Sequence, residues 1–172
     1  MPTILPVENK SPIIAQDVFL APNCTIVGDV SIGNNSSIWF NAVVRGDVNF
    51  ITIGNYTNIQ DNVTIHCTYL KNGTTIGNYV NIGHNAIVHG CVVHDYVLLG
   101  MGSIVMDNAI IETNVIIAAG AVVLENTICE SGFLYAGIPA KKIKPLTNEQ
   151  LAMLQQLPHN YVHYSSWFTD PK

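Results

Sequence analysis

The chain is short and weakly charged for its hydrophobicity. Its 172 residues carry a formal net charge of −5 at pH 7, and 11% of them are charged while 48% are hydrophobic. Ordinary soluble domains contain about 25% charged residues, so we expect either very regular burial of the apolar side chains or an oligomer that covers part of the surface. The acidic balance excludes a module that binds duplex nucleic acid, because such a module needs a basic surface.

No membrane segment and no disulfide framework are expected. No stretch reaches the roughly 20 consecutive apolar residues of a transmembrane helix, and the N-terminus has neither the basic nor the apolar region of a signal peptide. The four cysteines, Cys24, Cys67, Cys91 and Cys129, form no CxxC pair. They are therefore interpreted as reduced thiols of a cytoplasmic protein.

Aliphatic residues recur at every sixth position along most of the chain. The series, with pauses before residues 53 and 76 and one five-residue step to residue 93, is Ile14, Leu20, Ile26, Ile32, Ile38, Val44, Ile53, Ile59, Ile65, Ile76, Ile82, Val88, Val93, Leu99, Val105, Ile111, Ile117 and Val123. Six is a multiple of the strand period of two but a poor period for a helix. The pattern predicts a triangular coil in which each hexapeptide forms one strand and one turn.

This repeat resembles the left-handed parallel β-helix of the hexapeptide-repeat superfamily. An ordinary β-sandwich would show turn signals every 8–12 residues instead of every six. The resemblance supplies the left hand, which spacing alone does not reveal. We therefore predict an all-β solenoid over residues 1–140, with six to seven turns between residues 14 and 134.

The C-terminal segment, residues 141–172, departs from the repeat and is predicted to be a helical tail. The segment 136–143 is similar to the superfamily's end-of-coil signature. Thr147 and Gln150 then have the spacing of a capping box, and Leu151, Leu154 and Leu157 share one helical face. We expect Pro158 to end this helix, a second short helix to run to about residue 168, and the tail to pack on the coil or on a neighbouring subunit.

Five polar residues occupy the position directly after an inward aliphatic, where small residues are common. They are Arg45, Gln60, His66, His89 and His94. Surface histidines are the simplest explanation for any single case. Three histidines in one unusual register, however, favour a metal site of the three-histidine type with a fourth position open to water.

The spacing of two of these histidines implies more than one chain. His89 and His94 are five residues apart, so they should lie near different edges of one turn. A zinc ion holds its nitrogen ligands at about 2.0–2.1 Å. We therefore expect the ligands to come from two neighbouring subunits, most simply in a closed trimer.

The spacing His66–x22–His89–x4–His94 resembles the γ-class carbonic anhydrases and their close relatives. The resemblance covers nearly the whole chain and includes the segments 44–47 (VRGD), 58–62 (NIQDN), 65–66 (IH), 82–86 (IGHNA), 88–91 (VHGC) and 100–103 (GMGS). It implies a homotrimer with three interfacial metal sites, in which His66 and His94 come from one subunit and His89 from its neighbour. The ion would be Zn²⁺, with Fe²⁺ and Co²⁺ as alternatives, and a metal-bound hydroxide would convert CO₂ to bicarbonate.

The same resemblance suggests roles for further residues. Gln60 would orient the metal-bound hydroxide, while Arg45 would pair with Asp47 and, across the interface, with Asp61. Tyr161 matches a tyrosine that many relatives place near the metal pocket. His84 is interpreted as a residue that stabilises the fold or supports the metal ligands without binding the metal itself. Cys67 and Cys91 are interpreted as buried thiols that do not bind metal.

Two features keep other functions open. The best-studied γ-class carbonic anhydrases carry glutamates near the metal that move protons off metal-bound water, but here Val48 follows Asp47 and the loop 67–75 contains no acid. Hydration would then be slow, would use His84 or a tyrosine, or would be absent. The alternatives are an acyl-coenzyme A transferase or thioesterase of the hexapeptide family, and a metal-binding scaffold with weak or no hydratase activity.

Overall fold

The computed structural model describes residues 1–169. Their parallel strands form a solenoid of about seven turns, and one helix follows it. The predicted all-β solenoid of hexapeptide repeats with a helical tail is therefore confirmed. The tail begins with a strand, and the helix starts at Asn148.

The strands are short, and two of them are long enough to bend around an edge of the coil. In chain order they are β1 (Thr3–Leu5), β2 (Ile13–Ile14), β3 (Phe19–Leu20), β4 (Thr25–Ile32), β5 (Ser37–Ile38), β6 (Val43–Ile53), β7 (Asn58–Ile59), β8 (Thr64–His66), β9 (Thr74–Ile76), β10 (Asn81–Ile82), β11 (Ile87–His89), β12 (Val92–Val93), β13 (Leu98–Leu99), β14 (Ile104–Val105), β15 (Ile110–Ile111), β16 (Ile116–Ile117), β17 (Val122–Val123), β18 (Ile128–Cys129), β19 (Phe133–Ala136) and β20 (Lys141–Pro145). The helix is α1 (Asn148–Thr169).

Three faces make up the coil. Face 1 stacks the first half of β6 with β8, β11, β14 and β17, and face 2 stacks its second half with β9, β12, β15 and β18. Face 3 stacks β3, β5, β7, β10, β13, β16 and β19, and β20 adds to it in antiparallel direction. Each face thus receives one strand from each turn, as the repeat predicts.

The recurring aliphatic residues form the interior. On face 3, Ile59, Ile82 and Leu99 are paired in register on successive turns, and each side chain is fully buried. Burying a side chain of this size stabilises the fold by about 1.5–3 kcal/mol. The six-residue repeat therefore becomes a continuous aliphatic column along the axis.

Asparagine is abundant because the edges of the coil require left-handed backbone conformations. Positive φ angles occur at Asn23, Asn35, Asn41, Asn62, Asn85, Asn108, Asn114 and Asn126, and also at Tyr56, Tyr79 and Tyr96. Asparagine tolerates this region better than other residues with a side chain. At Gly28, where β4 bends between faces 1 and 2, a Cβ atom would lie 2.3 Å from the carbonyl oxygen of Gly46, so no side chain fits.

Within residues 141–169 the tail contains one helix, and the predicted break at Pro158 is wrong. Residues 170–172 of the predicted tail lie outside the described residues. The capping box is present, with the Gln150 amide donating to Thr147 Oγ1 at 3.3 Å and the Thr147 amide donating to Gln150 Oε1 at 3.0 Å. Pro158 lies inside α1 and is buried, as is Leu154. We attribute the continuity to this burial, which offsets the hydrogen bond that proline removes.

The helix covers face 3. Tyr161 packs edge-on against Trp39 from the early turns at 5.6 Å, and His159 packs on Tyr56 at 5.5 Å. The outward side chains of Ser37, Asn58 and Asn81 on this face are correspondingly buried. The helix thus runs back from the last turn to the first, and no helix in residues 1–169 is both long and apolar enough to cross a membrane.

Within residues 1–169, α1 packs on face 3, and the other two faces carry exposed apolar side chains. Their outward-facing side chains include Ile87 on face 1, 40% exposed, and Ile128 on face 2, 57% exposed. Apolar side chains at such positions are available to contact another molecule.

Truncation of the aliphatic column should destabilise the coil strongly. We expect Ile82→Ala to lower the free energy of unfolding by about 2–5 kcal/mol, since it opens a cavity in a site with no exposed surface. Urea unfolding at fixed protein concentration measures the change. Ile13→Ala removes the same atoms from a residue that is 74% exposed and should change stability far less; equal losses would contradict the assignment of the core.

Candidate metal centre

Two histidines lie side by side at the edge between faces 1 and 2. His66 ends β8 and His89 ends β11, and the two residues are directly paired in the parallel ladder. His66 Nδ1 lies 3.1 Å from His89 Nε2, and the ring centroids are 5.1 Å apart. The register of the coil therefore brings two of the three predicted ligands together within one chain.

A carboxylate holds the outer nitrogen of each ring. Asp47 Oδ1 lies 3.0 Å from His66 Nε2, and Asp107 Oδ1 makes a short hydrogen bond with His89 Nδ1. Such carboxylates accept the ring N–H and so fix the tautomer and orientation of an imidazole. The inner nitrogens, His66 Nδ1 and His89 Nε2, then remain as acceptors that face each other.

The electrostatics of both carboxylates fit this role. Partial burial raises the pKa of Asp47, but hydrogen bonds from His66 and Arg45 outweigh it and lower the pKa below its usual value. Burial acts on Asp107 in the same way, and hydrogen bonds from Thr68 and His89 again make the net pKa lower than usual. Both groups therefore stay ionised near neutral pH and act as acceptors.

Arg45 lies at the same edge and forms an ion pair with Asp47 of its own chain. Its backbone follows Val44 on β6, one turn before His66. Arg45, Asp47, His66, His89 and Asp107 thus form one cluster, the edge cluster, along a single edge of the coil.

Gln60, Asp61 and Tyr161 lie apart from the edge cluster, at the edge between faces 3 and 1. Asp61 Oδ2 lies 2.9 Å from His84 Nδ1, and Gln60 Nε2 donates to Asn58 Oδ1 at 3.0 Å. Tyr161 lines the same cavity as Gln60 and His84. Burial and the charge of Asp61 raise the pKa of Tyr161 to about 12, so its hydroxyl stays protonated.

His94 lies at the third edge of the coil. It follows β12 on face 2, it is exposed, and it lines a shallow cavity with Glu112, Thr113 and Ser131. Within the described part of a single chain, no three histidine, cysteine, aspartate or glutamate side chains are placed to hold one metal ion. The structure thus brings His66 and His89 together in one chain and leaves His94 apart from them.

Sequence reasoning missed Asp107 and Thr68. Asp107 lies 18 residues after His89, which is one full turn of three hexapeptides, so this spacing was the signal that could have placed it beside the ring. Thr68 carried no comparable signal, because it belongs to a loop that interrupts the repeat.

The thiols do not contribute to the edge cluster. Burial raises the pKa of Cys24 to about 11 and those of Cys91 and Cys129 to about 12. Burial also raises the pKa of Cys67, whose thiol donates to the Asn49 carbonyl. A metal ligand must be a thiolate, so these values agree with the interpretation of Cys67 and Cys91 as buried thiols.

The fold and the repeat place the protein among the hexapeptide-repeat solenoids. The bacterial transferase hexapeptide family (six repeats) matches residues 11–46 and 90–125. A hexapeptide transferase family protein from Anaplasma phagocytophilum has a crystal structure that superposes with a TM-score of 0.93 at 42% identity, over 96% of this chain and 98% of that one. The N-acyltransferase AntD from Bacillus cereus shares the fold, with a TM-score of 0.63 at 20% identity over 87% of this chain and 88% of that one.

Relatives in sequence define the family more narrowly. The chain is 42% identical to a carbonic anhydrase from Geobacillus kaustophilus over 96% of this chain and 90% of that protein. It is also 42% identical to the mitochondrial γ-carbonic anhydrase 2 of Arabidopsis thaliana over 94% of this chain, but spans only 60% of that longer protein. The chain therefore belongs to the γ-carbonic anhydrase family, and the predicted resemblance is confirmed.

All four thiols should be unreactive in the folded protein. Because the cysteines are buried and their pKa values are raised, we expect almost no reaction with Ellman's reagent at pH 8 and reaction of all four after unfolding in guanidinium. A thiol that reacts rapidly in the folded protein would contradict this environment.

Proposed function

We propose that this protein is a metal-dependent carbonic anhydrase that hydrates CO₂ reversibly at sites between the subunits of a homotrimer. The observation that carries the proposal is the edge cluster, in which carboxylates hold the outer nitrogens of His66 and His89 and leave the inner nitrogens 3.1 Å apart. Relatives at 42–43% identity are named carbonic anhydrases.

The donor set fits a divalent ion such as Zn²⁺. Two neutral imidazoles that both face inward as acceptors need a proton or a cation between them. Tetrahedral zinc with Zn–N bonds of 2.0–2.1 Å separates its ligand nitrogens by about 3.3 Å, close to the separation here. A bound ion would supply the Lewis acidity that lowers the pKa of water towards neutrality.

The chain's own residues would prepare the site for this chemistry. Asp47 and Asp107 hold the two rings, and Arg45 holds Asp47. Gln60 donates its amide N–H to Asn58, which leaves Oε1 free to accept a hydrogen bond from a reacting water. From the resemblance, we propose that each site lies between two subunits. One subunit contributes its edge cluster, and the other contributes Gln60 and Asp61.

The separate position of His94 supports a shared site. Within one chain, His94 lies at a different edge from His66 and His89, so a three-histidine site needs a second copy. The uncovered apolar side chains of faces 1 and 2 offer surfaces for that contact, whereas the helix already covers face 3. A closed ring of three copies would bury apolar side chains of both faces in every subunit. All four cysteines are free, which favours a reducing compartment, and we propose a cytoplasmic location.

Removal of one histidine should abolish metal binding. We expect about one ion per chain in the wild type, as the three-histidine site requires, and almost none in His89→Ala. Elemental analysis after dialysis measures the content. His163→Ala, which removes an exposed histidine on α1, is the matched control and should keep its metal; metal retained by His89→Ala would refute the ligand assignment.

Mixed trimers test whether ligands are shared and which ligands one chain supplies. When two single variants among His66→Ala, His89→Ala and His94→Ala are combined, a site is restored only if the two ligands come from different chains. The resemblance predicts that His66→Ala with His94→Ala is the pair that fails. The contact between His66 and His89 in one chain suggests a different arrangement, in which one chain supplies both of these ligands. In that case the combination of His66→Ala with His89→Ala would restore no metal site. Failure of all three pairs in verified mixed trimers would refute the shared site.

The metal-loaded protein should hydrate CO₂, with a rate that depends on buffer. The loop 67–75 has no acid and Val48 follows Asp47, so proton export should limit turnover unless a small buffer such as imidazole accepts the proton. Stopped-flow assays of protein loaded with zinc, and with iron under anaerobic conditions, measure the rate. No rate above the buffer blank would refute the proposal, and thiol release from acetyl-coenzyme A in the same preparations would instead support the acyl-coenzyme A alternative.

A further inference from the structure

The loop 67–73 interrupts the repeat between β8 and β9, directly after His66. It is internally ordered, because the Thr68 amide donates to the Asn72 carbonyl at 3.0 Å and the Lys71 amide donates to the Thr68 carbonyl at 3.2 Å. Asn49 Nδ2 also donates to the Thr68 carbonyl at 3.3 Å. Both the backbone N–H and the backbone carbonyl of Thr68 are therefore hydrogen-bonded.

The side chain of Thr68 reaches along the edge of the coil to the carboxylate that holds His89. Its hydroxyl donates a short hydrogen bond to Asp107 Oδ2, while Asp107 Oδ1 accepts from His89 Nδ1. Thr68 and Asp107 are 39 residues apart in sequence, so this contact exists only because the loop leaves the repeat at this point. Both oxygens of Asp107 are thus occupied, and the plane of the carboxylate is fixed.

A fixed carboxylate plane determines which nitrogen of His89 carries the proton. When Asp107 Oδ1 accepts from Nδ1, the proton stays on Nδ1 and the Nε2 lone pair points towards His66. Without the Thr68 hydroxyl, Asp107 would keep its contacts with His89 and with the side chain of Asn72 but would lose the short hydrogen bond to Oδ2. The carboxylate could then rotate more freely, and His89 could adopt the other tautomer or turn away from His66.

We propose that Thr68 is a positioning residue for His89: acting through Asp107, its hydroxyl holds the ring in the tautomer that leaves Nε2 free to bind metal. The role of this residue as part of a metal site rests on the proposed function. The Thr68–Asp107–His89 hydrogen-bond chain, however, is formed by this chain's own groups and requires no metal ion.

The metal-free protein gives a direct test. We expect the ring ¹⁵N shifts of His89 to show protonation on Nδ1 in the wild type, and a substantial population of the Nε2-protonated tautomer in Thr68→Ala. Thr68→Ser keeps the hydroxyl and should restore the wild-type tautomer. An unchanged tautomer in Thr68→Ala, or a wild type that is not protonated on Nδ1, would overturn the proposal.

Metal affinity provides a second readout that does not depend on activity. We expect Co²⁺ to bind Thr68→Ala about tenfold more weakly than the wild type and with a changed visible spectrum, since residues behind a ligand typically change affinity by 10–100-fold. Thr169→Ala, which alters an exposed threonine at the end of α1 and away from faces 1 and 2, is the matched control and should bind normally. Equal affinity of Thr68→Ala and the wild type, with equal unfolding midpoints, would overturn the role in metal binding. A wild type that binds no metal would refute the proposed function and leave the tautomer result to decide the positioning role.

Discussion

Each strand from β1 to β18 pairs only with strands one turn before or one turn after it, and this pairing determines which side chains meet. Adjacent strands in a sheet lie about 4.8 Å apart, so residues in the same register stack at that spacing along an edge. His66 and His89 are neighbours for this reason, although 22 residues separate them in sequence. Their contact depends on register alone, and a one-residue slip in either strand would turn one ring away from the other.

The parts of the structure that follow the repeat could be predicted from sequence. The six-residue period gave the three faces, the buried aliphatic column and the separation of His89 from His94 onto different edges. The helix cap at Thr147 could also be predicted, because it depends on residues three apart. Each of these features is local or repeats with a constant period.

The remainder could not be predicted because it arises where the period is broken or where packing decides. The contact between Thr68 and Asp107 depends on the path of an inserted loop, which no period describes. Pro158 is tolerated inside α1 because of the surface that the helix covers, and that surface exists only after the coil has formed. The Asp61–His84 pair joins residues of adjacent turns, whereas the resemblance paired Asp61 with Arg45 and gave His84 no partner.

The length of α1 has a consequence for how the molecule unfolds. Solenoid turns contact only their neighbours, so a bare stack can lose turns one at a time from either end. The 22-residue helix is about 33 Å long, close to the height of seven turns at about 4.8 Å each. It begins beside the last turn and reaches the aromatic side chains of the first ones. Because α1 contacts turns at both ends of the solenoid, loss of a terminal turn also removes contacts between the helix and the other turns. The helix therefore couples the turns into one cooperative unfolding unit.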